Sequence, residues 1–222
     1  MGLSRRARVL VAAVALPFPG LVAADDAFAV RCRQAAGEAR IEAVFADRPV
    51  DRDDSRSIDD LKTLAGSGAN PARRILGLTH AEPTARTEYA ATFLKSEDGR
   101  ICAVPSLTVH LGFSQFQVFI AREVADPCRQ RIIYEHELEH VATWRAHLRA
   151  GARLLTTVLQ QDLGGAHEFP DRPTAEAGLR RQASQRVAQW LQQLKDAATL
   201  AQQQIDSPQS YRDVEHRLAT CP

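Results

Sequence analysis

Residues 131 to 144 read RIIYEHELEHVATW, and inside them His136-Glu137-Leu138-Glu139-His140 spells H-E-x-x-H. On a helix, positions i and i+4 lie one turn apart on the same face, so the imidazoles of His136 and His140 can point at one ion. Glu137 sits about 100° round the helix from His136. It is poorly placed as a third ligand but can reach a water that the metal activates, and take its proton as that water attacks a carbonyl. The chemistry implied is metal-assisted hydrolysis, with zinc as the metal, His136 and His140 as ligands and Glu137 as general base. The competing reading is two histidines on a solvated helix, and the flanking Glu135 and Glu139 would suit such a face.

A third ligand has to come from elsewhere in the chain. His147 shares the face but falls roughly 10 Å along the axis from His140. No glycine before Gly151 could fold it back, so it reads as a surface or packing histidine. Glu168 and Glu176 sit near the turn between two long helices, far from the motif. An antiparallel return brings the second half of the later helix back to the histidines. There, Asp196 lies off the apolar face, whereas Asp206, next to the inward-facing Ile205, can turn toward the metal. Glu215, on a short terminal helix, is the next candidate, and His216 points away from that helix's apolar side. Asp206 and Glu215 both stay open on these grounds.

The elements that must position these residues are legible from caps and periodicity. ARIEAVFAD alternates as a strand. In the polar stretch that follows, Ser57 caps a short helix with Asp60 three residues on; Ile58, Leu61 and Leu64 form its apolar face, and Gly66 ends it. TEYAATFL, RICAVPSLTVHLGF and FQVFIAREV read as three strands, with SEDGR as a turn between the first two and Pro105 marking an edge or a bulge. Asp126-Pro127 predicts an N-cap and first helical proline, opening a long helix to about Gln160 that carries the motif. Asp171 to Pro173 opens a second, in which Val187, Trp190, Leu194, Ala198, Ala201 and Ile205 recur at steps of three and four. Tyr211, Val214, Leu218 and Cys221 lie on one side of the terminal helix.

Arg5, Arg6 and Arg8 precede the apolar run VLVAAVALPFPGLVAA, which Pro17, Pro19 and Gly20 interrupt. This predicts a signal peptide over residues 1–24, cleaved after Ala24, and a single domain over 25–222. The expected location is periplasmic or secreted, without stable membrane insertion once the signal is removed. The four cysteines, Cys32, Cys102, Cys128 and Cys221, all follow that segment and form no C-x-x-C pair, so two disulfides are expected. Three connectivities are open, and Cys102–Cys128 with Cys32–Cys221 is the favoured one. A formal net charge of +1 leaves no basic field for nucleic acid and no polybasic stripe for lipid, so a partner must be recognised by local shape and chemistry.

Taken together, SIDDLKTLAGSGANPARRILGLT, the strand CAVPSLTVHLGF and the H-E-x-x-H helix resemble the predicted secreted zinc-dependent proteases of bacteria, a largely uncharacterised group in the zincin clan of metallopeptidases. The shared order is a short Leu-containing helix, a Gly-x-Thr strand opening, a Cys-bearing strand and the zinc helix. That family carries an aspartate-bearing motif after its last long helix, and QQQIDSPQSY places Asp206 there, which implies Asp206 as third ligand; the motif's histidine and threonine have no clear counterparts here. The fold expected is α+β and zincin-like: a small, mainly antiparallel sheet packed on the long H-E-x-x-H helix, with a second long antiparallel helix behind. The function expected is zinc-dependent hydrolysis of a peptide or protein substrate, which FQVFIAREV would border and pair with. The alternative from another class is a non-catalytic exported protein that binds metal or a partner on a degenerate zincin fold.

Overall fold

The computed structural model describes residues 27–66 and 74–222, so the expected signal segment lies outside them. In chain order the described elements are α1 (Ala27–Ala35), a 3-10 turn (Ala36–Glu38), β1 (Arg40–Phe45), β2 (Asp51–Asp53), α2 (Ile58–Ala65), β3 (Gly77–Lys95), β4 (Ile101–Ile120), α3 (Pro127–Leu163), β5 (His167–Phe169), α4 (Arg172–Ile205) and α5 (Pro208–Leu218). The fold is α+β, with five helices and a five-stranded mixed sheet among the described residues.

Strand β4 pairs with all four others. β3 runs antiparallel along one edge from Gly77↔Ile120 to Lys95↔Ile101. The opposite edge is shared in series by β5 against Ile101–Ala103, β1 against Ser106–Leu111 and β2 against Gln117–Phe119. β1 and β2 run parallel to β4, so the mainly antiparallel sheet expected from the sequence is corrected to a mixed one. The cause is topological: the β3–β4 hairpin fixes β4, while the chain crosses from one edge of β4 to the other between β2 and β3.

Two of the expected strands are one. RICAVPSLTVHLGF and FQVFIAREV join in the 20 residues of β4, and TEYAATFL is only the later half of the 19-residue β3. The register slips between Glu82↔Gln115 and Pro83↔Phe113, leaving Ser114 as the extra residue, so a bulge beside Pro83 lets the strand continue. Pro105 lies between the last partner of β5 and the first of β1, a local edge where its missing N–H leaves no ladder bond unmade. Because β4 is paired on both sides at Gln117–Phe119, FQVFIAREV has no edge there for a substrate strand. Among the described residues β3 pairs only with β4 and so has a free far edge, as do β1, β2 and β5.

Local signals set the helices. Ser57 and Asp60 form a reciprocal capping box on α2, and Gly66 ends it at φ 72°, a conformation glycine adopts without strain. Leu61 is fully buried while Leu64 is exposed, so the apolar face of α2 is narrower than its sequence implies. Asp126 caps α3 by accepting from Arg129 N, and Asp171 caps α4 by accepting from Thr174 N. Leu107, Val109 and Leu111 of β4 join Leu148, Leu155 and Leu159 of α3 and Leu179, Ala183 and Val187 of α4 in one core.

The disulfides are Cys32–Cys102 and Cys128–Cys221, not the favoured alternative. With β4 continuous, Cys102 stands about 60 Å of extended chain before Ile120, the end that leads into α3. It therefore cannot meet Cys128 and bonds instead to α1, where Phe28 and Val104 bury it. Cys128 ties the first turn of α3 to the segment after α5. Cys32 and Cys102 are 2% and 0% exposed, whereas Cys128 and Cys221 are half-buried. Mild reduction of the folded protein followed by alkylation should label Cys128 and Cys221 well before the other pair. Peptide mapping that found Cys102 joined to Cys128, or Cys32 and Cys102 labelled first, would contradict this pairing and burial.

Candidate metal centre

His136 and His140 lie one turn apart on α3, with ring centroids 5.1 Å apart. The antiparallel return of α4 carries its C-terminal end back over them. Asp206 caps that end, and its Oδ1 stands 3.5 Å from His136 Nε2 and 3.3 Å from His140 Nε2. The three donor atoms all lie within 4.8 Å of one another. Two donors about 2.1 Å from a shared tetrahedral centre stand about 3.4 Å apart, so both measured separations suit a zinc-sized ion between nitrogen and carboxylate oxygen. Asp126, Cys128 and Cys221 form the other three-donor group among the described residues, but its sulfurs are used in a disulfide.

Around these donors opens a cleft of about 820 Å³, walled by the start of β3, by α3, by the end of α4 and by α5. His136, Glu137 and His140 are three of only four buried polar or charged residues among those described, the fourth being Ser96 in the β3–β4 turn. Buried polar groups are costly unless bonded, so their partners carry information.

Gln202, one turn before Asp206 on α4, clamps His140 from both sides. Its Oε1 meets His140 Nδ1, and its Nε2 donates to the His140 carbonyl oxygen at 3.3 Å. That donation fixes the amide orientation, so Oε1 accepts and Nδ1 carries a proton, while Nε2 is the ring nitrogen that faces Asp206. Tyr211 of α5 donates to Asp206 Oδ1 at 2.9 Å. An Arg217–Glu135 ion pair and the Cys128–Cys221 disulfide hold α5 against α3.

Glu137 is 5% exposed, and its Oε2 accepts from Thr79 Oγ1 at 2.7 Å. Burial pushes its carboxyl up from the usual range, against downward pulls from His140, Thr79 and His136. Burial acts upward on Asp206 as well, but hydrogen bonds from His136 and His140 prevail and hold it well below the usual carboxylate range. For His140, burial acts downward and is outweighed by Asp206, Glu137 and Gln202, which raise it. The site thus combines an ionised acceptor between two imidazoles with a desolvated carboxyl beside them.

The remaining sequence candidates fall outside the group. His147 Nδ1 donates to the Thr143 carbonyl oxygen of its own helix at 2.9 Å. Glu168 pairs with Arg100 at 3.3 Å and Glu176 with Arg172 at 2.7 Å. Asp196 accepts from Gln192, and His216 is exposed. Glu215 lines the cleft but is exposed and does not join the three donors. Glu139 is exposed, and Glu135 is exposed and paired with Arg217, so both charges face water rather than the cleft. Sequence reasoning missed Thr79, Gln202 and Tyr211. Only Gln202 left a local signal, its four-residue spacing from Asp206 on one helix face.

No protein-family model, no curated protein and no solved structure matches this chain.

Metal analysis should therefore find near-stoichiometric zinc in the wild type and little in His136→Ala or Asp206→Ala, with Glu215→Ala unchanged. Gln202→Ala keeps all three donors but frees the His140 ring, and zinc affinity should fall by about tenfold to a hundredfold. Equal zinc in the wild type and Asp206→Ala would remove Asp206 from the site.

Proposed function

We propose that the protein is an exported zinc-dependent peptidase of the zincin type, with His136, His140 and Asp206 as ligands and Glu137 as general base. The observation that carries this reading is the combination of three donors among the described residues with an open cleft of about 820 Å³. Structural zinc sites are closed by four protein ligands, whereas catalytic ones keep a position for water and substrate. The two disulfides fit export, and no helix among the described residues is long and apolar enough to cross a membrane.

Zinc held by these donors supplies the Lewis-acid chemistry that makes water nucleophilic near neutral pH. Glu137 accepts the proton that the water loses as its oxygen bonds to the peptide carbonyl carbon. Glu137 then returns that proton to the amide nitrogen as the C–N bond breaks, so a carboxylate and an amine leave and Glu137 is ionised again. Its burial favours accepting a proton, because the ionised form is poorly solvated. Gln202 keeps the proton of His140 on Nδ1, away from the donors. The unpaired edge of β3 at Gly77–Thr79 borders the cleft and offers backbone groups to an extended chain.

The test is Glu137→Gln, which keeps shape and hydrogen bonding but cannot act as base. Zinc content and thermal stability should stay close to wild type, while hydrolysis of any peptide that the wild type cleaves falls by at least about a hundredfold. Full activity in this variant would mean that Glu137 is not the base. A wild type that holds zinc yet cleaves nothing in a broad peptide library would favour a structural metal.

A further inference from the structure

Gly77 and Thr79 stand two positions apart on β3 and so face the same side of the sheet. Both meet Glu137. Thr79 Oγ1 lies 2.7 Å from Glu137 Oε2 and 3.1 Å from the carbonyl oxygen of the same residue. A Cβ at Gly77 would lie 2.6 Å from Glu137 Oε1 and 2.9 Å from its Cγ, closer than side chains tolerate. One carboxylate oxygen is therefore held by a hydroxyl, and the other rests against backbone that only glycine leaves bare.

We propose that Thr79 is the positioning residue for Glu137, its hydroxyl holding the carboxyl group beside His136 and His140 throughout the reaction. This rests on the reading of Glu137 as general base. The helix fixes the Cα of Glu137, but several rotatable bonds separate that atom from its carboxyl, and neither histidine bonds to it. The hydroxyl of Thr79 has one proton and two acceptors within reach, both on Glu137. When Glu137 is ionised, the proton goes to Oε2. A proton taken up on Oε1 leaves that hydrogen bond to Oε2 in place, with no heavy atom moved. A base held in one place before and after proton transfer needs no reorganisation at the moment of reaction. A threonine that only joined β3 to α3 would need the carbonyl contact alone.

Two variants of the exported protein test this. Thr79→Val keeps the shape and removes the hydroxyl; Thr79→Ser keeps the hydroxyl. Three quantities are read for each: zinc content, kcat and KM on a cleaved peptide, and the Kd of acetohydroxamate, which binds zinc and gives its acidic proton to a neighbouring carboxylate without turnover. Thr79→Val should hold zinc like the wild type, lose about tenfold to a hundredfold in kcat with little change in KM, and bind acetohydroxamate more weakly. Thr79→Ser should restore both. Unchanged kcat and acetohydroxamate affinity in Thr79→Val would overturn the proposal, as would a serine variant as impaired as the valine one. If the wild type binds zinc but cleaves no peptide, the peptidase reading fails alone, and the acetohydroxamate series still decides the role of Thr79. A wild type without zinc-dependent acetohydroxamate binding removes the centre and this proposal together.

Discussion

Leu194 of α4 seats its side chain where any side chain at position 151 of α3 would have to go: a Cβ built on Gly151 would lie 2.1 Å from Leu194 Cδ1. This close crossing lets the two long helices pack backbone to side chain and sets how α4 lies on α3. From it the chain runs toward His140 on one helix and toward Gln202 and Asp206 on the other. Helix positions advance 1.5 Å per residue, so a slip of one turn, about 5.4 Å, would carry Asp206 beyond reach of both imidazoles. The core below, with Leu155, Leu159, Leu179 and Ala183 buried, resists such a slip because close-packed side chains have no continuous range of registers. The candidate centre is thus a consequence of helix packing before it is a matter of ligand chemistry.

The polar groups in that centre reverse the usual logic of a core. His136, Glu137 and His140 are buried where apolar residues would stabilise the helix pair more, and their partners come from other elements, with Asp206 shared by both histidines. Thr79 comes from β3, Gln202 and Asp206 from α4, and Tyr211 from α5. A hydrogen bond to a charged group contributes about 1.5–3 kcal/mol, and leaving such a group unpaired costs as much or more. The partners therefore offset a burial that the fold alone has no reason to impose. Gly77 belongs to the same set, since its missing side chain is what admits Glu137 against β3.

What was legible in the sequence is what local chemistry dictates. Ser57 with Asp60, Asp126 with Pro127, and Asp171 before Pro173 announce helix starts because a cap is satisfied within three residues. The i, i+4 spacing of His136 and His140 is local too, and the return of α4 narrowed the third partner to Asp206 or Glu215 without choosing between them. What was not legible depends on pairing between distant segments. GLTHAEPTAR, with its glycine and proline, shows no strand pattern of its own beyond the Gly-x-Thr opening that the resemblance implied, yet it is the first half of β3, because β4 supplies its ladder partners and Ser114 absorbs the mismatch at Pro83. The parallel run of β1 and β2 leaves no mark in their own residues. The disulfide pairing failed for the same reason, since the length of β4 decides which cysteines can meet. Thr79 was hidden because its partner lies 58 positions away on another element.

The placement of the third donor at a helix end has its own consequence. Two histidines on α3 would bind metal weakly, as any two-ligand site does, and they would do so wherever α3 is helical. Asp206 instead sits where α4 stops and α5 begins, oriented by Tyr211 from α5. No residue of α5 is fully buried, so this helix has little core of its own and depends on Leu218, the Arg217–Glu135 pair and Cys128–Cys221 to stay in place. Zinc that recognises only the assembled group stabilises whatever assembles it. If the group binds zinc as proposed, the ion would stabilise the arrangement in which α5 orients Asp206, which the Cys128–Cys221 disulfide already holds near α3.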